Sequence, residues 1–260
     1  YKRQAYNYIH DIDTEASKLG SVFVTGVYLD DLFSSANVHH NVFYKCHLAA
    51  MIGGGRDNNF DNNILVDCDN GMFFDARGVG WGAGHAAKGG QAYNTILQVP
   101  YNKPPYSEKY PELVSILDDP SKLGLPMNNS VCGNVMSKCM SNMVAGEFKT
   151  YGKYENNYET KTDDENDLFT DYENLDFSLK AGSAAAMSNP EAATIDMSQM
   201  GLTSERGDEE RKIVSDRSFR LSYPKNGDKD ISNLGCDFKW EKHSGSDLYR
   251  IDIATDPEMK

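Results

Sequence analysis

The feature that most constrains the fold is a unit of 22 residues that occurs twice between positions 37 and 77. Asn41 and Asn63 are 22 residues apart, and Cys46 and Cys68 have the same separation. A fixed period of this length is typical of solenoid proteins, in which each repeat stacks on the next. The unit consists of short apolar runs separated by Asn, Asp and Gly, without helical spacing, which favours strands.

The same unit occurs on both sides of this region. Asn134 lies 71 residues after Asn63, and Asn7 lies 34 residues before Asn41. Both separations are longer than the 22-residue period, and the additional residues predict insertions between repeats. The sequence therefore predicts an all-β fold, a right-handed parallel β-helix (solenoid), with the asparagines stacked at one corner.

Several segments lack the 22-residue repeat, and their positions predict the domain organisation. The β-helix is predicted over residues 1–200, interrupted by a loop insertion at 76–127 that is rich in aromatic residues and contains a short helix at 110–119. Residues 201–222 are predicted to be a linker. Residues 223–260 alternate in polarity and resemble the first strands of a truncated fibronectin type III-like domain, a partial β-sandwich. We interpret the chain as a fragment of a longer protein.

Composition excludes several classes of partner. The net charge is −13 and the pI is about 4.9, which disfavours nucleic acid and anionic membranes as partners. No apolar run is long enough to span a membrane, and an extracellular or periplasmic monomer is expected. Cys46, Cys68 and Cys139 share one register, which predicts a column of buried thiols. No metal or cofactor is predicted, and the acidic run at 161–177 is predicted to be a solvated turn.

The candidate catalytic residues are three aspartates. Stacking of the repeats places Asp30, Gly53 and Asp75 in one column, followed by Gly146. Asp30 and Asp75 are then about 9 to 10 Å apart along the stack, which slightly favours the spacing of inverting glycosidases, about 6.5 to 9.5 Å. Asp31 is a third candidate, because it lies at a corner where the alternation of a strand can fail.

The candidate substrate-binding residues include two arginines and a run of three glycines. Arg56 and Arg77 are predicted on one ridge, where either can bind a substrate carboxylate or lower the pKa of a neighbouring aspartate. Alternatively, the arginines and aspartates form a structural ion-pair network. Gly53, Gly54 and Gly55 permit either the close approach of a ligand or a tight turn.

Two further candidates lie early in the insertion. Trp81 is predicted to stack on a sugar, because pyranose faces are apolar, or to anchor the loop to the solenoid. His85 follows it closely and is predicted to line the same cleft. Gly78 and Gly80 allow the chain to fold back across the groove.

These motifs resemble a family of bacterial carbohydrate-active enzymes. The segments TGVYLDD, IGGGRDNNFDNNILVDC and MFFDARGVGW are similar to those of right-handed parallel β-helix proteins of the glycoside hydrolase family 141 type. The resemblance implies a secreted or periplasmic enzyme of polysaccharide breakdown with appended sandwich modules. The positions that match the family motif are Gly54, Gly55, Arg56, Asp57, Asp75, Arg77 and Trp81.

Three functions remain open at this stage. The first is a glycoside hydrolase acting on plant or microbial cell-wall glycans, with Asp75 and either Asp30 or Asp31 as the acid–base pair. The second is a polysaccharide lyase on an acidic glycan, with Arg56 or Arg77 as the base. The third is a non-catalytic glycan-binding solenoid.

Overall fold

The computed structural model describes most of the first two hundred residues and two short strands beyond them. The described residues are 2–12, 24–161, 165–200, Leu221–Tyr223 and Lys239–Trp240. The chain divides into two units, Tyr1–Gly201 and Leu202–Lys260. In the second unit the two short strands pair in antiparallel fashion. The rest of the predicted fibronectin type III-like segment lies outside the described residues.

The first unit consists mostly of strands in three parallel sheets, and successive repeats supply strands to the sheets in turn; the last repeat contributes to the first two sheets. The first sheet contains β1 (Lys2–Ala5), β4 (Ala36–His39), β7 (Asn59–Asp61), β10 (Ser130–Cys132) and β13 (Lys153–Glu155). The second contains β2 (Tyr8–His10), β5 (Val42–Tyr44), β8 (Ile64–Val66), β11 (Val135–Ser137) and β14 (Tyr158–Thr160). The third contains β3 (Thr25–Leu29), β6 (Leu48–Gly53), β9 (Asn70–Asp75) and β12 (Ser141–Val144).

The sequence period sets the register of these sheets. Val42 pairs with Ile64, and Ile64 pairs with Val135. Tyr8 pairs with Val42. The predicted offsets between repeats and the β-rich, parallel arrangement are therefore confirmed.

The interior of the stack is apolar because alternate residues of each strand face inward. Phe43, Phe60 and Phe74 are fully buried there, and burying a side chain of this size contributes about 1.5 to 3 kcal/mol. The predicted thiol column is also confirmed, since Cys46, Cys68 and Cys139 are free and buried in the same core; Cys68 lies one repeat from each of the other two.

The predicted asparagine column is present as a hydrogen-bonded ladder. The backbone N–H and the side-chain amide of Asn41 both donate to Oδ1 of Asn63, at 3.0 Å each. Asn63 donates to Asn134 in the same way, and Asn134 to Asn157. Asn157 extends the ladder beyond the residues that the repeat identified.

A second ladder was not predicted. Asn58 Oδ1 accepts the N–H of Ala36, and Asn129 Oδ1 accepts the N–H of Asn58. Both asparagines are buried. Each satisfies backbone groups at a corner where the strand ladder is interrupted, so two corners of the stack are stabilised by stacked amides.

The prediction of a solvated turn at 161–177 is wrong. After a short helix, Glu165–Leu168, the strands β15 (Phe169–Asp171) and β16 (Asp176–Leu179) form an antiparallel hairpin. Phe169 and Phe177 are fully buried against the outer face of the second sheet. The acidic residues alternate with apolar ones, so the segment has one apolar face, which packs on that sheet.

The remaining helices are short. They are the α-helices Ala83–Ala86, Gln91–Leu97, Tyr106–Lys109, Gly146–Tyr151 and Ala184–Ser188 and the 3-10 helices Pro111–Leu113, Pro120–Lys122, Ala192–Thr194 and Met197–Gln199. The predicted helix at 110–119 is reduced to the 3-10 turn Pro111–Leu113. Within the described ranges, no helix is both long and apolar enough to cross a lipid bilayer.

Candidate functional site

The guanidinium of Arg77 is the centre of a polar cluster just beyond β9. Its Nε and Nη2 donate to Oδ1 and Oδ2 of Asp75, at 2.9 and 3.0 Å. Its Nη1 donates to Oδ1 of Asp30 at 3.0 Å and to Oδ1 of Asp31 at 2.8 Å. The three predicted acids therefore converge on one cation, as the ion-pair interpretation required. The formal charge of the cluster remains negative.

The stacking of the repeats explains this convergence. Gly53 pairs with Asp75, and the preceding pair of Leu29 with Ile52 places Asp30 next in the column. Close approach of a ligand at Gly53, one of the two predicted uses of the glycines, is blocked because the guanidinium of Arg77 fills that space. A Cβ at Gly53 would overlap with Cζ of Arg77.

The other two glycines form a tight turn, which was the alternative to close ligand approach. Gly54 and Gly55 have φ values of +72° and +78°, in the left-handed region that favours glycine. A Cβ on Gly55 would overlap with the carbonyl oxygen of Phe33. The turn leads from β6 to Arg56. Of Gly53, Gly54 and Gly55, only Gly55 lines the cleft described below.

Backbone geometry at the corner brings Asp31 to the same side as Asp30. Asp31 has a φ of +28°, so the alternation of β3 ends before it. The predicted position of Gly146 in the acid column is wrong. A β-bulge between Ser141 and Asn142 shifts the register by one residue, so that Ala145, whose N–H donates to the carbonyl of Phe74, follows Asp75.

The electrostatics of the cluster favour ionised groups. The Tyr28 hydroxyl donates to Asp30 and lowers the pKa of that carboxyl; the N–H of Asp31 and the charge of Arg77 act in the same direction, against desolvation. Burial works against the charge of Arg77, but hydrogen bonds to Asp75 and Asp31 outweigh it and raise the pKa of the guanidinium. Asp30 is therefore suited to act as a carboxylate, not as a proton donor.

A cleft of about 460 Å³ lies between this cluster and the insertion. Asp31, Arg77, Trp81 and His85 line it, whereas Asp30, Asp75, Gly53 and Gly54 do not. The other lining residues, from the corner turns and the insertion, are Leu32, Ser34, Gly55, Arg56, Gly78, Gly82, Gln91, Ala92, Thr95, Ile96, Ile116 and Leu123. The contribution of the helix Gln91–Leu97 was not predicted, because the insertion follows no repeat that would place its residues.

Trp81 lies at the cleft and is not buried against the stacked sheets. It is 72% exposed, and its ring centroid is 5.3 Å from Cζ of Arg77, a distance at which a cation and an aromatic face attract. His85 is also exposed. Both residues line the same cleft as Asp31 and Arg77.

Arg56 has a different environment from Arg77. Its Nη2 donates to the carbonyl oxygens of Lys122 and Leu123, at 2.9 and 3.2 Å. Burial lowers the pKa of Arg56, and the charge of Asp57 partly offsets this effect. Arg56 therefore binds the end of the insertion to the corner turn that follows β6, and it forms part of the cleft wall.

Tyr28 was missed by the sequence analysis. It precedes Asp30 by two residues in a strand, which is the spacing of side chains on one face, and that signal was available in the segment TGVYLDD. Among the described residues, no group of three or more His, Cys, Asp or Glu side chains is arranged to hold a metal ion.

Comparison with known proteins gives no relative. No protein-family model matches the sequence, and neither a curated protein nor a solved structure matches the chain. The function is therefore inferred from the geometry of the site and from the motifs.

Proposed function

We propose that this protein is carbohydrate-active and that the cleft beside Arg77 binds a glycan. The observation that carries the proposal is Trp81, a large aromatic ring that is 72% exposed beside a rigid ionic cluster. An exposed tryptophan at a cleft marks a binding surface, because apolar area of this kind is otherwise removed from water.

The chemistry of the cleft matches that of a sugar. A pyranose has apolar faces and a rim of hydroxyl groups, so it requires both an aromatic platform and hydrogen-bonding side chains. Trp81 supplies the platform, and the carboxylate of Asp31, which is 66% exposed, can accept hydrogen bonds from hydroxyl groups. Ser34, His85 and Gln91 also line the cleft and add donors and acceptors.

The class of fold is part of the same proposal. The parallel sheets with one strand per repeat support a right-handed parallel β-helix, the architecture implied by the family 141-like motifs. A secreted or periplasmic location and an appended fibronectin type III-like module belong to the same expectation.

Hydrolysis is a second candidate function, favoured by the convergence of three carboxylates beside the cleft. Asp31 is the one that lines the cleft, so it is the proposed acid–base residue. Asp30, with its lowered pKa, suits the role of the second carboxylate. Asp75, bound through both oxygens to Arg77, is a positioning residue that holds the guanidinium.

The lyase alternative is less well supported. A base must lose its proton, and the raised pKa of Arg77 opposes this. Burial lowers the pKa of Arg56, but its Nη2 is engaged by the carbonyl oxygens of Lys122 and Leu123 and so is not placed to take a proton from a sugar.

Replacing Trp81 with alanine is expected to lower glycan affinity about tenfold, because a stacked aromatic contact contributes on the order of 1 kcal/mol beyond its buried area. The measurement is calorimetric titration with the soluble polysaccharides xylan, xyloglucan, arabinogalactan, rhamnogalacturonan and mixed-linkage glucan. Trp81→Phe is expected to restore part of the affinity. Val79→Ala, at an exposed apolar residue of the same loop that does not line the cleft, is the matched control. Equal affinity of Trp81→Ala and wild type for every glycan bound would exclude the cleft as the site.

Replacing Asp31 with asparagine is expected to reduce the release of reducing ends at least about a hundredfold, the scale of lost acid–base catalysis, while leaving glycan binding measurable. Asp57→Asn serves as the control, because Asp57 accepts a hydrogen bond from Asn128 at the surface and does not line the cleft. Binding without turnover in the wild-type protein would instead identify a glycan-binding solenoid.

A further inference from the structure

We propose that Tyr28 is a second aromatic platform and that the glycan bound by this protein is an oligosaccharide segment that extends from the cleft onto the outer face of the third sheet. This inference rests on the proposed function and specifies its substrate class as a chain of several sugars, not a single terminal sugar.

Tyr28 and Trp81 contact the same cluster from different places. Trp81 lies over the guanidinium of Arg77 and lines the cleft. Tyr28 does not line the cleft; its hydroxyl donates to Asp30, which shares Nη1 of Arg77 with Asp31. The Arg77 cluster therefore links an aromatic ring inside the cleft to one outside it.

The side chain of Tyr28 is exposed although it is a large aromatic residue within a strand. Its neighbours Val27 and Leu29 point into the core, whereas Tyr28 points outward and is 42% exposed. The hydroxyl is held by Asp30, so the ring has a defined orientation at a low conformational entropy. A ring that is fixed and exposed needs little further ordering when a sugar stacks on it.

Two further apolar residues follow Tyr28 in the same row along the stack. Tyr28 pairs with Met51, and Met51 pairs with Phe73. Met51 is fully buried, so the exposed apolar surface of this row belongs to Tyr28 and Phe73. Successive members of such a row are about 4.8 Å apart. Phe73 is partly exposed. The row runs beside the column of Asp30 and Asp75, so apolar surface and ionised groups lie side by side, as the faces and hydroxyl groups of a sugar chain require.

The test is the dependence of affinity on chain length. Oligosaccharides of one to six sugars, prepared from whichever of the five polysaccharides binds, are titrated into the wild type, Tyr28→Ala and Trp81→Ala. Tyr28→Ala is expected to lower affinity about fivefold for the longest oligosaccharides, the scale of one stacking contact, and to leave the shortest bound species unchanged. Trp81→Ala is expected to lower affinity at every length.

Two further variants separate stacking from structural effects. Tyr28→Phe keeps the ring and removes the hydroxyl, and is expected to restore the affinity for long oligosaccharides. Tyr6→Ala is the matched control, because Tyr6 is 48% exposed and packs on His40 at the corner between the first two sheets. If Tyr28→Phe binds long oligosaccharides as weakly as Tyr28→Ala, the hydroxyl acts through Asp30, and the proposal that the ring is a stacking platform is wrong.

The outcomes distinguish this inference from the proposed function. If Trp81→Ala weakens binding and Tyr28→Ala does not at any length, the cleft is the site and the second platform is wrong. If affinity is already complete with one sugar, the extended segment is wrong. If none of the glycans binds to the wild type, both proposals are overturned.

Discussion

Asn63→Ala is expected to lower the free energy of unfolding by about 4 kcal/mol, since each buried group left without a partner costs about 1 to 3 kcal/mol. Oδ1 of Asn63 accepts two hydrogen bonds from Asn41, and its Nδ2 donates to Asn134 and to the carbonyl of Val38. Asn63 is fully buried, so water does not replace these bonds. The measurement is urea denaturation followed by circular dichroism.

Asn157→Ala is the matched control at the other end of the same ladder. Asn157 accepts two hydrogen bonds from Asn134 and donates one to Val131, but it is only partly buried. Water can reach the groups that the substitution exposes, so we expect a loss of about 1 kcal/mol. We infer that burial of the asparagine ladder determines how much it stabilises the fold. Equal decreases in the free energy of unfolding for Asn63→Ala and Asn157→Ala would contradict this inference.

Arg77→Met is expected to lower the free energy of unfolding by about 3 kcal/mol, the lower end of the range for removing one partner of a buried ion pair. The guanidinium is 6% exposed, whereas the side chains of Asp30 and Asp31 are 57% and 66% exposed, so solvent screens part of the repulsion left between the carboxylates. We also expect weaker glycan binding, because the floor of the cleft loses its fixed charge.

The pH dependence of Arg77→Met provides an independent test. The folded-state pKa of Asp30 is lowered, so its carboxylate stabilises the wild type above its unfolded pKa of about 3.9, and this contribution is lost as the pH falls through the folded pKa. Removing Arg77 removes one cause of the lowered pKa. The loss of stability below about pH 5 is therefore expected to be shallower in the variant.

Arg56→Met is the control for this experiment, because it removes the same charge from the wall of the same cleft. Arg56 binds two carbonyl groups and no carboxylate by direct hydrogen bond. Its loss is expected to reduce stability by about 1 to 2 kcal/mol without changing the acid dependence. An unchanged acid dependence in Arg77→Met as well would show that Arg77 does not contribute to the lowered pKa of Asp30, which would then depend on the Tyr28 hydroxyl and the N–H of Asp31.

Much of the candidate site followed from the repeat. Alignment of the repeats placed Asp30, Gly53 and Asp75 in one column, at separations of 23 and 22 residues, and the pairing of Gly53 with Asp75 agrees with it. The alignment was informative because parallel strands stack with a constant spacing. It failed at Gly146, because a bulge leaves Gly71 of β9 without a partner in β12 and shortens the offset between these strands by one residue.

The 22-residue period does not show why three glycines occur together. The sequence was consistent with either close approach of a ligand or a tight turn at Gly53, Gly54 and Gly55. The answer depends on where a side chain 24 residues away from Gly53 points, because Arg77 turns back over Gly53 to reach Asp75. A side-chain direction at a corner is set by its packing partners, which no local pattern contains.

The repeating strands, their pairing and the stacked columns of asparagine and cysteine follow from the amino-acid sequence, because they depend on a constant backbone spacing and on alternating polarity. Which carboxylate faces the cleft, and how the insertion encloses it, depends on the folded chain. Arg77 gathers three aspartates through a side-chain direction that the period does not specify, and Arg56 binds the insertion at Lys122, which lies outside the period. Such contacts depend on the three-dimensional approach of side chains, and they convert a regular stack into a binding site.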